Sequence, residues 1–268
     1  MVDNFRPRKR TAVSYFHFLQ VRKSALNSIE FSSWYSMINT TQFARIRRRI
    51  VGSCLSKLGY AALGKEYSAK FGPQLRYVTF STAFGKWFEV SIALHFEFLP
   101  PFDFAVWPGA RVPSKMCSEL CAFQRHVRND GKQYYHFPET EIAAADLLKD
   151  VAIQAAMKLD EVGATCGDGQ RLLELISPQV LATDLAVFRQ LRKAQTIEEQ
   201  RRLSDSMRIR QLLPEWCPHI VPTAILMGYL ASHFGHTDLI PAYISVAPND
   251  LIEPKQAPYL EDLRGRVN

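Results

Sequence analysis

The strongest electrostatic feature of the chain is a cluster of four arginines, Arg45, Arg47, Arg48 and Arg49. Guanidinium groups form charge-assisted hydrogen bonds with phosphate oxygens, so this cluster on a helix could bind the backbone of a nucleic acid. The same cluster could instead be a solvated helix face, or could contact an acidic partner protein. Nucleic-acid binding is therefore one of the functions that the sequence allows.

The net charge of +7 is concentrated at one end of the chain. Residues 1–57 hold eleven lysines and arginines but only two acids, Asp3 and Glu30, whereas the rest of the chain is close to neutral. A high isoelectric point alone therefore does not indicate a nucleic-acid partner. Apolar residues make up 47% of the sequence, which predicts a folded globular protein.

A second set of candidate residues lies on the segment Lys86–Phe98. Its apolar side chains alternate strictly with the others, at Phe88, Val90, Ile92, Leu94, Phe96 and Phe98. This period of two predicts a central antiparallel strand with one face in the core and the other face mostly wet. Aromatic and charged side chains together are typical of protein interfaces, so we predict a partner-binding surface at Trp87, Glu89, His95 and Glu97.

Cysteine and histidine offer the ligand types of a zinc site at Cys117, Cys121, His126 and His136. The spacing is loose, however, and structural zinc sites prefer pairs with two intervening residues. We therefore interpret these cysteines as buried thiols and predict no metal site.

Nucleophilic catalysis has one candidate, Cys217, which lies two residues from His219. A catalytic cysteine needs its base close in space rather than in sequence, so this adjacency alone does not indicate an active site. The chain also lacks the P-loop, the dinucleotide-binding glycine motif, G-x-S-x-G and H-E-x-x-H. The sequence therefore assigns no catalytic residue and no cofactor, and an enzyme of unrecognised type is only the third hypothesis.

Cysteine usage and hydropathy bear on the compartment. Five cysteines are few for this length and odd in number, which suits a reducing cytoplasm with free thiols. No apolar run reaches about 18 residues, so we predict no membrane span.

The elements that position the first candidates are a helix and a hairpin. The helix is predicted over Thr41–Lys57, with Thr40 or Thr41 as its N-cap and Gly59 at its C-terminal end. The strand Leu75–Phe80 would pair with the central strand through a turn at Ser81–Gly85. A further strand is expected within Gln133–Phe137.

Helices dominate the prediction for the second half. The first runs from Thr140 to Glu161, with its apolar side at Ile142, Leu147, Leu148, Val151, Ile153, Ala155 and Leu159. A loop is predicted at Gly163, Gly167 and Gly169. Four helical segments follow, at Arg171–Ile176, Val180–Leu213, Ile220–Phe234 and Leu239–Val246. Pro248–Asn268 is predicted to be a polar tail.

Three regions follow from these patterns. Residues 1–36 are predicted to be a basic N-terminal extension. This extension is disordered, or it is not translated at all if translation starts at Met37. Its composition also fits a mitochondrial-type transit peptide. Residues 37–165 form an α+β domain, and residues 166–268 form a helical C-terminal region. The predicted fold class is α+β, with an antiparallel sheet flanked by helices.

Residues 41–180 show a recognisable order of features. A leading helix is followed by Leu58-Gly59-Tyr60, by Lys65 and Tyr67, by a hairpin and by the helix after Pro138. This order resembles a family of small bacterial proteins of unknown function, in which the pattern is helix, Gly-Phe, Lys, Tyr and two strands. Tyr60 stands where that family usually has phenylalanine. Some members resemble immunity proteins that neutralise toxins, so the resemblance implies a protein-binding role and assigns no catalytic position.

The leading function hypothesis is a non-enzymatic, cytoplasmic interaction protein, an immunity or regulatory factor that binds a partner protein through the wet strand face. The alternative hypothesis is nucleic-acid binding through the helix that carries Arg45–Arg49. The sequence does not identify the partner.

Overall fold

The computed structural model describes residues 38–83, 87–103, 112–127, 134–212 and 219–267. The predicted extension at residues 1–36, Cys217 and the last two residues of the predicted hairpin turn, Phe84 and Gly85, lie outside these residues. Within them the first elements in chain order are α1 (Thr40–Ser56), β1 (Ala61–Leu63), β2 (Glu66–Phe71), β3 (Gln74–Ala83), β4 (Trp87–Phe96), β5 (Phe123–His126), β6 (Tyr135–His136) and α2 (Glu141–Cys166). Seven more helices follow: α3 (Gly169–Leu175), α4 (Pro178–Leu191), α5 (Ile197–Ser206), α6 (Arg208–Leu212), α7 (Ile220–His233), α8 (Ile240–Val246) and α9 (Ala257–Gly265).

The sheet is antiparallel, with the strand order β1-β2-β3-β4-β5, and β6 also pairs with β4. The predicted central strand is confirmed, because β4 has β3 on one side and both β5 and β6 on the other. The turn after β3 begins later in the chain than predicted. Ser81 and Thr82 still belong to β3, where they pair with Glu89 and Phe88 and extend the ladder.

Helix α1 begins one residue earlier than predicted, and its N-cap is Asn39 rather than a threonine. The Asn39 side chain accepts from the Gln42 backbone N–H at 2.8 Å, and the Gln42 side chain accepts from the Asn39 backbone N–H at 3.0 Å. This reciprocal capping box satisfies two of the unpaired N–H groups. Gly59 has a φ of +85° and ends the helix as predicted, because Tyr60 N–H donates to the Leu55 carbonyl.

Helices α1 and α2 cover one face of the sheet. The Phe43 ring of α1 lies 4.7 Å from Phe88 of β4 and 4.3 Å from Phe137, measured between ring centroids. The inner side of α2 is buried at Leu148, Val151, Ala155 and Leu159, as predicted. The prediction is wrong for Ile142 and Ile153, which are exposed on the opposite side of α2.

The C-terminal region is helical, and α7 is buried along residues 220–231 as predicted. The predicted glycine loop is shorter than expected: Gly167 lies in the connection between α2 and α3, whereas Gly163 lies inside α2 and Gly169 begins α3. The predicted polar tail is wrong, because α9 buries Leu260 and Leu263. The predicted long helical segment after Val180 is divided among α4, α5 and α6.

The predicted fold class is confirmed: an antiparallel sheet is flanked by helices and followed by a helical region. Residues from Ile38 to Leu263 share one contiguous hydrophobic core, so the sheet and the C-terminal helices pack as one body. Within the described ranges, every helix is too short or too polar to cross a membrane.

Candidate functional site

A groove of about 1030 Å³ lies between the first turns of α1 and the adjacent ends of β3 and β4. Its charged lining, among the described residues, consists of cations alone: Arg45, Arg47, Arg48, Arg49 and Lys65. Hydroxyl groups add hydrogen-bonding capacity, at Thr40, Thr41, Ser81 and Thr82. The structure therefore brings all four arginines of the predicted cluster to one concave surface.

The helical period explains how α1 distributes these arginines. Successive residues on a helix point about 100° apart, so Arg45, Arg48 and Arg49 share one outward face, at spacings of three and four residues. All three are exposed, whereas Phe43 and Ile46 point into the core. Like charges at these spacings repel and weaken a helix by about 0.2–0.5 kcal/mol per pair. The clustered arginines therefore do not stabilise the helix. This observation favours a binding role for them.

Arg47 differs from the other three because it is half-buried and holds α1 against the sheet. Its Nη1 donates to the backbone carbonyl oxygen of Phe80 on β3 at 3.1 Å. Burial lowers the pKa of the Arg47 guanidinium below its ordinary value, although the group stays charged at neutral pH. Its Nε is also buried and has no hydrogen-bond partner, so the guanidinium keeps an unused donor at the groove.

The remaining cations are partly compensated. Arg45 Nη2 lies 3.0 Å from Glu141 Oε1, and Lys65 Nζ lies 3.8 Å from Glu119 Oε1; all four side chains are largely solvent-exposed. Exposed pairs of this kind contribute little and exchange readily with other partners. Arg48 and Arg49 form no ion pair or hydrogen bond with any described residue. The groove thus carries positive charge that is open to an anion.

The predicted partner-binding surface on β4 is not one wet face. His95 is only 1% exposed, so the prediction that it faces solvent is wrong. Its Nδ1 accepts from the Ala122 backbone N–H at 3.0 Å, which leaves Nε2 protonated to donate to the Leu99 carbonyl at 3.3 Å. Burial lowers the pKa of His95 to about 4. The segment that ends at Ala122 covers this end of the face, and strand alternation alone does not reveal such a cover.

Of the other three predicted residues, Trp87 and Glu89 are neighbours on one face of β4, whereas Glu97 lies at the far end. Trp87 is half-buried, with its ring centroid 3.8 Å from that of His136 on β6. Glu97 lies beyond the end of β4 and pairs with Lys70 at 2.7 Å. Since a strand rises about 3.4 Å per residue, Trp87 and Glu97 stand roughly 34 Å apart. Partner binding by Trp87, Glu89 and Glu97 stays a prediction, but Glu97 does not belong to the patch that holds Trp87 and Glu89.

A polar row across four strands is the site that sequence reasoning missed. Glu66, Thr79, Ser91 and His126 are direct neighbours in the ladder from β2 to β5. The hydroxyl of Ser118 donates to Glu66 Oε1 at 2.6 Å and accepts from Thr79 Oγ1 at 2.9 Å, so the buried carboxylate is satisfied. The period-two pattern of β2, compared with those of its neighbours, is the signal that would have placed these residues together.

The two cysteines beside this row are not reactive centres. Burial raises the pKa values of both the Cys117 and the Cys121 thiols, so both stay protonated at neutral pH. No three histidine, cysteine or carboxylate side chains among the described residues are close enough together to hold a metal ion. Glu66 and Thr79 of the row thus form a satisfied network with Ser118, whereas Nδ1 of His126 is buried and has no hydrogen-bond partner among the described residues.

The resemblance to a bacterial family with immunity-like members stays a prediction, because it rests on the residue pattern alone. Comparison with protein-family models, with curated proteins and with solved structures found no match to this chain.

Proposed function

We propose that the protein binds nucleic acid by placing backbone phosphates in the basic groove. The observation that carries this proposal is the groove's charged lining, which consists of five cations without a carboxylate among its described residues. Arg48 and Arg49 are the primary phosphate contacts, because they have no competing partner there. Lys65 and Arg45 lie on the same surface and exchange their exposed ion pairs for phosphate.

The start of α1 supports an anionic ligand in the same place. The first turn of α1 contains no acidic residue, so no side chain there neutralises the positive end of the helix dipole. Thr40 and Thr41 of that turn line the groove with the arginines. Hydroxyl groups and guanidinium groups are the usual donors to phosphate and sugar oxygens.

Counterion release predicts how steeply the affinity for nucleic acid should fall as the salt concentration rises. Each phosphate that the groove neutralises should add roughly 0.7–0.9 to the slope of log affinity against log salt concentration. The proposed contacts are to phosphate rather than to base edges, so binding should be nearly independent of sequence.

The test is fluorescence anisotropy with labelled single-stranded and duplex oligonucleotides of about 20 nucleotides, at several salt concentrations. The double variant Arg48→Ala/Arg49→Ala should bind about tenfold more weakly, with a salt slope reduced by roughly one to two. The matched control is Arg201→Ala/Arg202→Ala, which removes two exposed adjacent arginines from α5. Equal losses in both variants, or wild-type binding without salt dependence, would contradict the proposal.

Binding of a partner protein, by a non-enzymatic cytoplasmic factor with an immunity or regulatory role, is our second proposal. A different observation favours it. Helix α2 exposes three large apolar side chains to solvent, Ile142, Ile153 and Met157. It is tested by whether substitutions on α2 remove an interaction that the groove variants leave intact.

A further inference from the structure

We propose that the outer face of α2 is a docking surface for a basic amphipathic helix of a partner protein. We call this face the α2 stripe and define it by Ile142, Ile153 and Met157 together with the carboxylates beside them. The proposal rests on the second proposed function, the binding of a partner protein. It places the contact on α2 instead of on the surface predicted on β4. The occupant follows from the geometry and the charge of the stripe.

The three apolar side chains lie on one line along the helix. Ile142, Ile153 and Met157 are 76%, 44% and 59% exposed. Ile153 follows Ile142 by eleven residues, which is three turns, and Met157 follows Ile153 by four, so all three point the same way. The opposite side of α2 is fully buried against the sheet, so the stripe faces directly outward. Single exposed apolar residues are common, but an aligned set of three on a 26-residue helix indicates a contact surface.

Carboxylates outnumber cations along the same face. Asp146, Asp150 and Glu161 are exposed and form no ion pair with any described residue. Lys149 is the exposed cation on this part of the helix, and Lys158 is buried with its Nζ donating to the Val127 carbonyl. Asp146 and Lys149 lie on the line itself, four and seven residues after Ile142, whereas Asp150 and Glu161 lie beside it. A face that combines apolar side chains with three unpaired carboxylates and one lysine is complementary to a helix that combines an apolar line with Lys and Arg.

Two other acids of α2 are already paired within the protein. Asp160 Oδ1 lies 2.7 Å from Arg76 Nη1, and Glu141 pairs with Arg45. The paired acids lie near the two ends of α2, so the unpaired Asp146 and Asp150 are left beside the middle of the stripe. A second copy of this chain is a poor occupant, because a two-fold contact would place the same carboxylates against each other.

The test measures binding of two synthetic helical peptides of about 18 residues to the full chain by fluorescence anisotropy. The peptides share one apolar line of leucines and differ only in the flanking residues, which are Lys in one and Glu in the other. The wild-type chain should bind the Lys peptide and not the Glu peptide. The double variant Ile153→Ser/Met157→Ser should bind the Lys peptide at least about tenfold more weakly.

The matched control is Ile197→Ser on α5, because Ile197 is 79% exposed and lies outside the stripe. Its affinity should equal that of the wild type, and circular dichroism should show all variants folded, since the substituted side chains face solvent. Equal binding of the Lys peptide by every variant, or no binding at all, would overturn the proposal. A wild-type dimer that the double variant loses in light-scattering measurements would also overturn it, in favour of a second copy as occupant.

A photoreactive amino acid in place of Ile153 or of Trp87 distinguishes docking on the α2 stripe from partner-protein binding at another surface of the chain. Crosslinking of one protein from the cell at position 87 but not at position 153 would keep partner binding and overturn the α2 stripe. Crosslinking at position 153 that is lost when Met157 is replaced by serine is the expected result. The Arg48→Ala/Arg49→Ala variant should crosslink like the wild type.

Discussion

Arg45 Nη2 of α1 lies 3.0 Å from Glu141 Oε1, in the first turn of α2. A cation that lines the basic groove is therefore held by a carboxylate of the neighbouring helix, and a phosphate in the groove has to compete with that carboxylate. The pair links the groove to the start of α2, since Ile142 is the next residue. Removing the carboxylate should change the groove more than it changes the fold.

The first prediction is that Glu141→Gln strengthens nucleic-acid binding about two- to fivefold, because it frees Arg45 and removes a competing charge worth roughly 1 kcal/mol or less. The free energy of unfolding should change by less than about 1 kcal/mol. Anisotropy titrations and urea denaturation measure the two effects. Glu161→Gln removes the same charge about 30 Å further along α2 and should have a smaller effect on binding. An equal gain in both variants would mean that only net charge matters.

Arg47 should behave differently from its neighbours on α1. Arg47→Ala removes the donor to the Phe80 carbonyl and the half-buried stem that packs beside it. We expect the free energy of unfolding to fall by about 1–2 kcal/mol, whereas Arg48→Ala should change it by less than about 0.5 kcal/mol. Urea denaturation at one pH compares the two variants. Equal stability of the two variants would show that the Arg47 contact contributes nothing to the fold.

Sequence reasoning succeeded where local periodicity decides the outcome. The alternation from Phe88 to Phe96 predicted β4 and its core face, and the clustered arginines predicted the groove's charge. It failed where a contact joins distant parts of the chain. His95 lies on the predicted wet face but is capped by the Ala122 N–H, 27 residues away. No pattern within β4 contains that information.

Glycine and proline were misread for a related reason. Gly163 was interpreted as a loop residue, yet it lies inside α2, where an added Cβ would collide with the Arg76 side chain. Because this glycine has no side chain, α2 can lie close to the sheet; the residue does not form a turn. Residues 248–268 were predicted to be a polar tail, but Pro258 lies in the first turn of α9, where a missing N–H costs nothing.

Buried His95 should make stability depend on pH between about 6.5 and 4. The folded state keeps His95 neutral, while the unfolded chain binds a proton below pH 6.5; its contribution is therefore complete above pH 6.5 and is lost as the pH falls towards 4. The loss amounts to about 3 kcal/mol for a shift of this size. Urea denaturation of the wild type and of His95→Gln from pH 7 to pH 4 isolates the contribution, because carboxylates titrate alike in both. Parallel curves for the wild type and His95→Gln would contradict the prediction.

The start of α6 depends on a carboxylate from α4. Asp184 is buried, its Oδ1 accepts from the Arg208 backbone N–H at 2.9 Å, and its Oδ2 accepts from the Ile209 backbone N–H at 2.7 Å. Asp184→Ala leaves both donors without a partner, so the free energy of unfolding should fall by about 2–4 kcal/mol. Asp184→Asn should cost less, because the amide oxygen can accept from one N–H while the amide nitrogen cannot accept from the other.

The matched control for this last prediction is Asp205→Ala, since Asp205 is exposed at the end of α5, close to the same junction. It should change the free energy of unfolding by less than about 0.5 kcal/mol. Urea denaturation ranks the three variants, and hydrogen exchange at Arg208 and Ile209 reports the cap itself, because unpaired amides exchange faster. An Asp184→Ala variant as stable as Asp205→Ala would show that α6 does not need the cap. The expected order instead makes Asp184 the contact that separates α6 from α5 within the predicted helical segment Val180–Leu213, because the N–H groups of a helix interior are already paired whereas those at the start of a new helix are free to donate to a carboxylate.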